Sequence, residues 1–480
     1  MVGIVAYGGY VPRRRLSRPA VHEANKWFAP GLRGLAVGER AMANWDEDSI
    51  TMAVEAARDC LTGLSPAAVR QTYFASTTLP FKDRQNAGVI GAALLLDEGV
   101  LAADLGGSQK AGTSALIAGL TAAQAGLTTL VAAADKRPAR VASSQELQYG
   151  DGAAAVLCGS ERVIARLLGH RSTSVDFVDH FRGAEAEFDY AWEERWIRDE
   201  GYLKIVPPAL RAALAACGLD GKAVTHFLMP SLIPAASRQI ARQVGIGESA
   251  IREPLAATVG DTGAAHPLVL LVHTLQTAEP GDRILVAGFG QGVDVVVLEV
   301  TAEVKSLPAR RGVLGWLARR KEETNYLRFL AFQDLLPLDK GMRAEFDKRT
   351  ALSILWRKRD MLYGMVGGRC RICGTVQFPQ SVVCVNPECR APGSQDAYPM
   401  SGLTATVQSW SADALTYSPD PPSYYGMITF PEGGRLTADF TDCDPEQIQV
   451  GASMRMTFRI RDVDMARGGF KRYFWKATPA

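Results

Sequence analysis

Over residues 1–300, short apolar runs alternate with alanine-rich stretches whose apolar positions recur at helical spacing. GIVAYGGYV, QTYFASTTL and TLVAAAD carry the first pattern, SITMAVEAARDCL and TSALIAGLTAAQAG the second, with GVIGAALLL between them. Strand followed by helix, repeated, predicts a layered α/β fold. GDGAAAVLCG followed by RVIARLLGHRS reads as a pair of strands, after which PALRAALAACG, HFLMPS, SRQIARQVG, HPLVLLVHTLQTA, DRILVAGFGQG and VDVVVLEVT repeat the rhythm. Two halves of similar plan are therefore expected, 1–165 and 166–302. Their pairing would open a cleft where helix N-termini meet, a common position for small-molecule sites.

After Thr301 the rhythm breaks. SLPARRGVLGWLARRKEETNYLRFLAFQDLL spaces its Leu, Trp and Phe residues as amphipathic helices do, so 303–365 reads as linker and docking helices. A cysteine-rich knuckle occupies 366–395. From Met400, LTATVQSWSA, YYGMITF, GRLTADFTD, SMRMTFRIRDVD and KRYFWKAT alternate as short strands, which makes 396–480 a small β-barrel.

Composition narrows the class. The 480 residues are 47% apolar, with Lys+Arg 53 against Asp+Glu 51, an ordinary globular balance that excludes collagen-like, disordered and disulfide-miniature chains. No run of about 18 uncharged apolar residues occurs, and the opening MVGIVAYGGYVPRRRL soon breaks into Pro and arginines. The expectation is a cytoplasmic protein with no signal peptide and no membrane partner. Net charge is −4 over 1–300 and +6 over the rest, too diffuse for a nucleic-acid surface.

Four of the eight cysteines cluster as Cys370-x2-Cys373-x10-Cys384-x4-Cys389. Two close pairs of thiolates suit a tetrahedral Zn2+ site, and with every position filled by protein the zinc is structural rather than catalytic. The alternative is four unrelated thiols. Gly374 fits the knuckle reading, since a residue without Cβ lets the backbone turn tightly beside the sulfurs.

GYVPRRRL, DLGGSQKAGTSAL at 104–116, YGDGAAAVL at 149–157 and GDRILVAGFGQGVDVVVLEV at 281–300 follow one another as the corresponding segments of the thiolase superfamily do. Residues 1–300 resemble its hydroxymethylglutaryl-CoA synthase and β-ketoacyl-acyl carrier protein synthase III branch. CRICGTVQFPQSVVC and the tail ending RYFWKATPA resemble the zinc-ribbon and OB-fold family called domain of unknown function 35, whose members associate with thiolases and are thought to bind acyl-CoA. The resemblance implies a duplicated thiolase-like α/β fold followed by a zinc ribbon and an OB-type barrel. It also implies a CoA thioester substrate and a thiolase-family partner subunit, a homodimer, or both.

The family's chemistry uses a Cys at a helix N-terminus, directly before a Lys-Ala-Gly-Thr segment. Here Gln109 precedes Lys110-Ala111-Gly112-Thr113, so no acyl-enzyme is expected. The family's His falls on Leu228, its Asn on Asp261 and the synthase Glu near Thr77. The resemblance therefore implies a subunit of an acyl-CoA carbon–carbon bond-forming or -cleaving complex that binds CoA thioesters without the usual Cys. Its alternatives are a non-catalytic scaffold of a thiolase complex and a Cys-independent retro-aldolase or lyase acting on β-hydroxyacyl-CoA.

Within the expected cleft, His266 with Asp261 is the candidate general base, against the plainer reading of a structural His. Tyr149 and His180 are weaker candidates, and Lys110 reads as a packing residue. Arg13, Arg14 and Arg15 suit the phosphates of CoA, or a solvated loop. Phe470, Tyr473, Phe474 and Trp475 interleave with Lys471, Arg472 and Lys476, which is either a nucleic-acid face or, preferred here, barrel core alternating with solvent. No nucleic-acid partner is expected.

Overall fold

The computed structural model describes residues 1–233, 235–345 and 350–480. They divide into two compact units: Met1–Asn44, Asp48–Ile90 and Leu96–Leu330 form the first, and Trp45–Glu47, Gly91–Leu95 and Ala331–Ala480 the second.

The first unit is built on strands β1 (Gly3–Tyr10), β2 (Gln71–Ala75), β3 (Leu101–Leu105), β4 (Thr129–Asp135), β5 (Gly152–Gly159), β6 (Ala165–Ser174), β7 (His226–Leu228), β8 (Arg283–Phe289) and β9 (Gly292–Val300). They form one sheet in the order β7-β8-β9-β6-β1-β5-β4-β2-β3. Reading outward from the centre, β1, β5, β4 and β2 mirror β6, β9, β8 and β7. Each side makes two antiparallel pairings and then a parallel one. This is the duplicated plan that the repeated rhythm predicts. Runs such as LVAAA and VVVLEV are buried without alternation because helices cover both faces of the sheet.

Four helices position or support the cavity of this unit: α1 (Ser49–Cys60), α2 (Ala111–Gln124), α3 (Leu203–Ala216) and α4 (His266–Leu275). A reciprocal capping box starts α1, with the Asp48 carboxylate accepting from Thr51 N at 3.0 Å and Thr51 Oγ1 accepting from Asp48 N at 2.9 Å. Helix α4 is buried all round except near His273, as its nearly continuous apolar sequence requires. Helices α2 and α4 pack together with their N-termini adjacent, so close that a Cβ on Gly112 would run into the carbonyl oxygen of Ala264. Gly112→Ala should therefore destabilise the first unit by about 1–3 kcal/mol despite alanine's better helix propensity. A urea midpoint equal to or above wild type would refute this.

The segment expected to be linker and docking helices, 303–365, is not uniform. Trp316 stands edge-on to Tyr10 with ring centroids 4.4 Å apart, and Lys321–Glu323 adds a parallel strand beside Arg14–Leu16, so residues to Leu330 belong to the first unit. Amphipathic spacing showed that these residues pack, without showing against what. Residues 346–349 of the segment lie outside the described residues.

In the second unit β10 (Val366–Cys370) lies between β11 (Val376–Gln377) and β12 (Gln395–Pro399). Five further strands follow: β13 (Thr404–Asp413), β14 (Ser423–Thr429), β15 (Arg435–Asp439), β16 (Ser453–Asp464) and β17 (Phe470–Pro479), ordered β15-β14-β13-β16-β17. A bridge from Phe440 to Ala477 joins the two edges into a barrel. Tyr473, Trp475 and Ala477 fill its core. Two of the basic residues interleaved with the aromatics, Arg472 and Lys476, do not face solvent as expected. Arg472 is buried against Asp462 at 2.5 Å, and Lys476 against Asp46 at 2.8 Å with its ammonium 4.0 Å from the Trp45 ring centroid. Arg459, fully buried, pairs with Glu47 at 2.8 Å and Asp442 at 2.6 Å. Among the described residues no helix is long and apolar enough to cross a membrane.

Candidate functional site

A cavity of about 170 Å³ opens in the first unit where the starts of α2 and α4 meet. Gln109 lines it from the turn before α2, and Asp261 and Gly263 from the turn before α4. Arg137 enters from the segment after β4, and Tyr149 from the segment before β5. Asp179, His180 and Trp192 come from a two-stranded hairpin, His180–Phe181 with Tyr190–Ala191. No cysteine is among the lining residues.

Arg137 organises the polar wall. Its guanidinium donates to Asp261 Oδ1 at 2.6 Å and to Asp189 Oδ2 at 3.2 Å, and stacks 3.4 Å from the Tyr149 ring centroid. Tyr149 donates its hydroxyl to Asp189 Oδ2 at 3.0 Å, and Arg182 pairs with the other oxygen at 2.9 Å. Burial alone would lower the Arg137 pKa, but Tyr149 and the carboxylates Asp261, Asp189 and Asp135 reverse the effect and raise it. Burial likewise opposes the charge on Asp261, yet Arg137, His266 and the Gly263 N–H hold its pKa below the ordinary carboxylate value.

His266 does not serve as expected. Its Nδ1 accepts from Thr262 N at 2.9 Å and its Nε2 contacts the Pro254 carbonyl at 2.8 Å, so both ring nitrogens are committed to backbone. Asp261 Oδ2 is 3.8 Å from the ring and does not line up with a free nitrogen. The two residues are neighbours, but the histidine is a structural tie at the start of α4. Thr77 is similarly occupied. Its N–H and hydroxyl donate to Asp135 at 2.8 and 3.0 Å, and Asp135 also accepts from Ser76, Thr78 and Ala264 N. Leu228 is fully buried on β7, and Lys110 pairs with Asp294 at 3.3 Å.

None of Arg13, Arg14 and Arg15 lines the cavity. Arg15 is fully buried and donates to the Pro12 carbonyl, and Arg14 pairs with Glu323 at 2.7 Å. Of the three, Arg15 cannot meet CoA phosphates as expected, because the strand Arg14–Ser17 turns it inward, and Arg14 is tied to Glu323 on the parallel strand beside it.

Sequence reasoning ranked His180 low and passed over Asp179, Asp189 and Arg137. His180 Nδ1 lies 3.1 Å from Asp179 Oδ2 and its Nε2 is 3.2 Å from Gln109 Nε2. The available signal was the Asp-His dipeptide itself, a carboxylate beside an imidazole in a polar loop.

In the second unit, the sulfurs of Cys370, Cys373, Cys384 and Cys389 all lie within 4.8 Å of one another. Cys370 to Cys389 is 3.9 Å and Cys373 to Cys384 is 3.5 Å, close to the edge of about 3.8 Å of a sulfur tetrahedron around zinc. Gly374 adopts φ +76° as the turn requires, and its N–H donates to Cys370 O at 2.9 Å.

Comparison with known proteins agrees with both units. The hydroxymethylglutaryl-CoA synthase of Archaeoglobus fulgidus is 29% identical over 333 residues, covering 67% of this chain and 95% of that protein. The synthase of Pyrococcus horikoshii is also 29% identical, over 335 residues covering 67% and 93%. A crystal structure of HMG-CoA synthase complexed with CoA superposes with TM-score 0.60 at 15% identity, covering 73% of this chain and 95% of that one. The 3-oxoacyl-(acyl carrier protein) synthase III of Pseudomonas aeruginosa gives 0.56 at 22%, covering 62% and 98%. Residues 397–459 match the family described as the C-terminal OB-fold domain of ChsH2. The chain is a thiolase-like, HMG-CoA synthase-like domain fused to an OB-fold domain. The cavity lies in the thiolase-like domain, and the thiol cluster precedes the OB-fold strands.

Proposed function

We propose that this chain is a subunit of an acyl-CoA enzyme that makes or breaks a carbon–carbon bond next to a thioester, and that it does so without a cysteine-bound acyl intermediate. Gln109 carries this reading. An amide, which cannot act as a nucleophile, stands at the start of a buried central helix, facing a cavity that suits the reacting end of a ligand better than a whole cofactor. The cysteines of the thiolase-like domain cannot replace it. Burial raises the thiol pKa of Cys60, of Cys158 (to about 12) and of Cys217, and none of them reaches the cavity. The similarity to HMG-CoA synthases supports a CoA thioester as the ligand. A thiolase-family partner or a second copy of the chain completes the assembly in this reading.

The four clustered thiolates would hold a structural zinc, as their number, separation and closed arrangement favour.

The test is calorimetry of the full chain with acetyl-CoA, followed by intact-mass measurement. Saturable binding with no acetyl adduct is expected. An adduct on any cysteine would overturn the non-covalent reading, and no binding would remove the CoA reading altogether. A second reading, catalysis by this chain alone, is favoured over a passive scaffold by one observation, the contact of His180 with Gln109 inside the cavity.

A further inference from the structure

The histidine expected near Pro230 is Leu228, and His266 is held by backbone at both nitrogens. The hairpin at the cavity wall brings a different one. Pairing of His180 with Ala191, and a bond from Trp192 N to Asp179 O at 2.9 Å, fix the Asp179-His180 backbone. The Asp179 carboxylate lies 3.1 Å from His180 Nδ1, and the other ring nitrogen, Nε2, lies 3.2 Å from the Gln109 amide nitrogen. An imidazole beside a carboxylate, with one nitrogen turned toward the residue ahead of a helix N-terminus, is placed as a general base is. Two buried oxygens, Gln109 Oε1 and Asp179 Oδ1, have no hydrogen-bond partner. The polar groups at this spot are thus incompletely satisfied, as expected where a ligand supplies the rest.

We propose that His180 is the catalytic proton-transfer residue of the cavity, positioned by Asp179, and that it removes and returns a proton at the carbon next to the thioester carbonyl of a bound acyl-CoA. This rests on the acyl-CoA reading above. In the forward step His180 Nε2 takes the proton. The C–H electron pair becomes the enolate double bond, the carbonyl pair moves onto oxygen, and the ring becomes an imidazolium beside Asp179. The Gln109 N–H and the N-terminus of α2 are the donors at hand for the oxygen that gains charge. Return of the proton regenerates thioester and neutral ring, so no oxidant or other reactant is consumed. The same enolate is the nucleophile of a condensation and the first product of a cleavage. Apart from Asp179, the charged groups around the cavity are Arg137, Arg182, Asp189 and Asp261, which pair among themselves, and Glu194 on the wall.

The experiment incubates the full chain with acetyl-CoA in D2O and follows deuterium entering the acetyl group by mass spectrometry, from about pH 5.5 to about pH 8. Wild type should exchange, at a rate that rises with pH. His180→Gln should lower the rate at least about 100-fold and flatten the pH profile, with acetyl-CoA affinity and melting temperature unchanged. Asp179→Asn, which removes the carboxylate but not the ring, should slow exchange and displace the profile, and it decides the matter where His180→Gln does not fold. Exchange at the wild-type rate in the variants, or none in a wild type that binds acetyl-CoA, overturns the role of His180. Failure of wild type to bind acetyl-CoA is a different result and overturns the acyl-CoA reading itself.

Discussion

Arg137→Ala should destabilise the thiolase-like domain by about 3–5 kcal/mol, because it strands buried carboxylates. Asp189 and Asp261 are 6% and 16% exposed, and both receive guanidinium hydrogen bonds from this one side chain, so its loss leaves negative charge with neither water nor a full set of partners. The effect has a pH signature. The pKa of Asp261 is depressed in the folded protein, so its contribution is complete above the unfolded carboxyl value of about 4. That contribution is lost as pH falls through the lower folded value. Wild type should therefore gain stability with rising pH over that acidic range, and Arg137→Ala should lose most of this gain. Urea unfolding at several pH values measures both quantities. A loss under about 1 kcal/mol, typical of an exposed pair, would mean that water reaches these carboxylates freely.

Cys373→Ser should abolish metal binding and unfold the segment around β10–β12, with little change in the unfolding of the thiolase-like domain. Structural zinc sites contribute on the order of 10 kcal/mol or more. A ribbon of three short strands has too little apolar core to replace that. Purified wild type should carry one equivalent of zinc per chain, and limited proteolysis of the variant should cut within 366–395 first. A variant that retains a full equivalent of zinc, or a wild type with iron, would contradict a closed four-thiolate zinc site.

The layered fold was legible because strand and helix periods differ, and because β4, β5, β8 and β9 are long apolar runs that only a sheet covered on both faces can bury. The thiol cluster was legible because its ligands lie within twenty residues of one another. The cavity was half legible. Gln109 and Asp261 stand in short motifs at helix starts, so position along the chain locates them. Arg137 and Asp189 are 52 residues apart and meet only through the fold. His180 lies in a polar hairpin with no periodicity to orient it. His266 illustrates the reverse failure, since the acceptor that claims its second nitrogen, Pro254 O, is twelve residues back in a loop no pattern predicts.

The short stretch Trp45–Glu47, enclosed in sequence by the thiolase-like domain yet part of the second unit, bears on how the two modules can be recombined. Asp46 and Glu47 neutralise Lys476 and Arg459, cations with essentially no access to solvent. A fragment beginning at Ala331 would keep Asp442 for Arg459 but would leave behind Glu47 and, with Asp46, the carboxylate that pairs with buried Lys476, at a cost of several kcal/mol. Transplanting this barrel onto an unrelated enzyme by joining it at the C-terminus would meet the same difficulty unless the host supplied acidic residues in the right place. Descendants that split the chain into two genes at Ala331 would have to replace Lys476 or carry Asp46 with it.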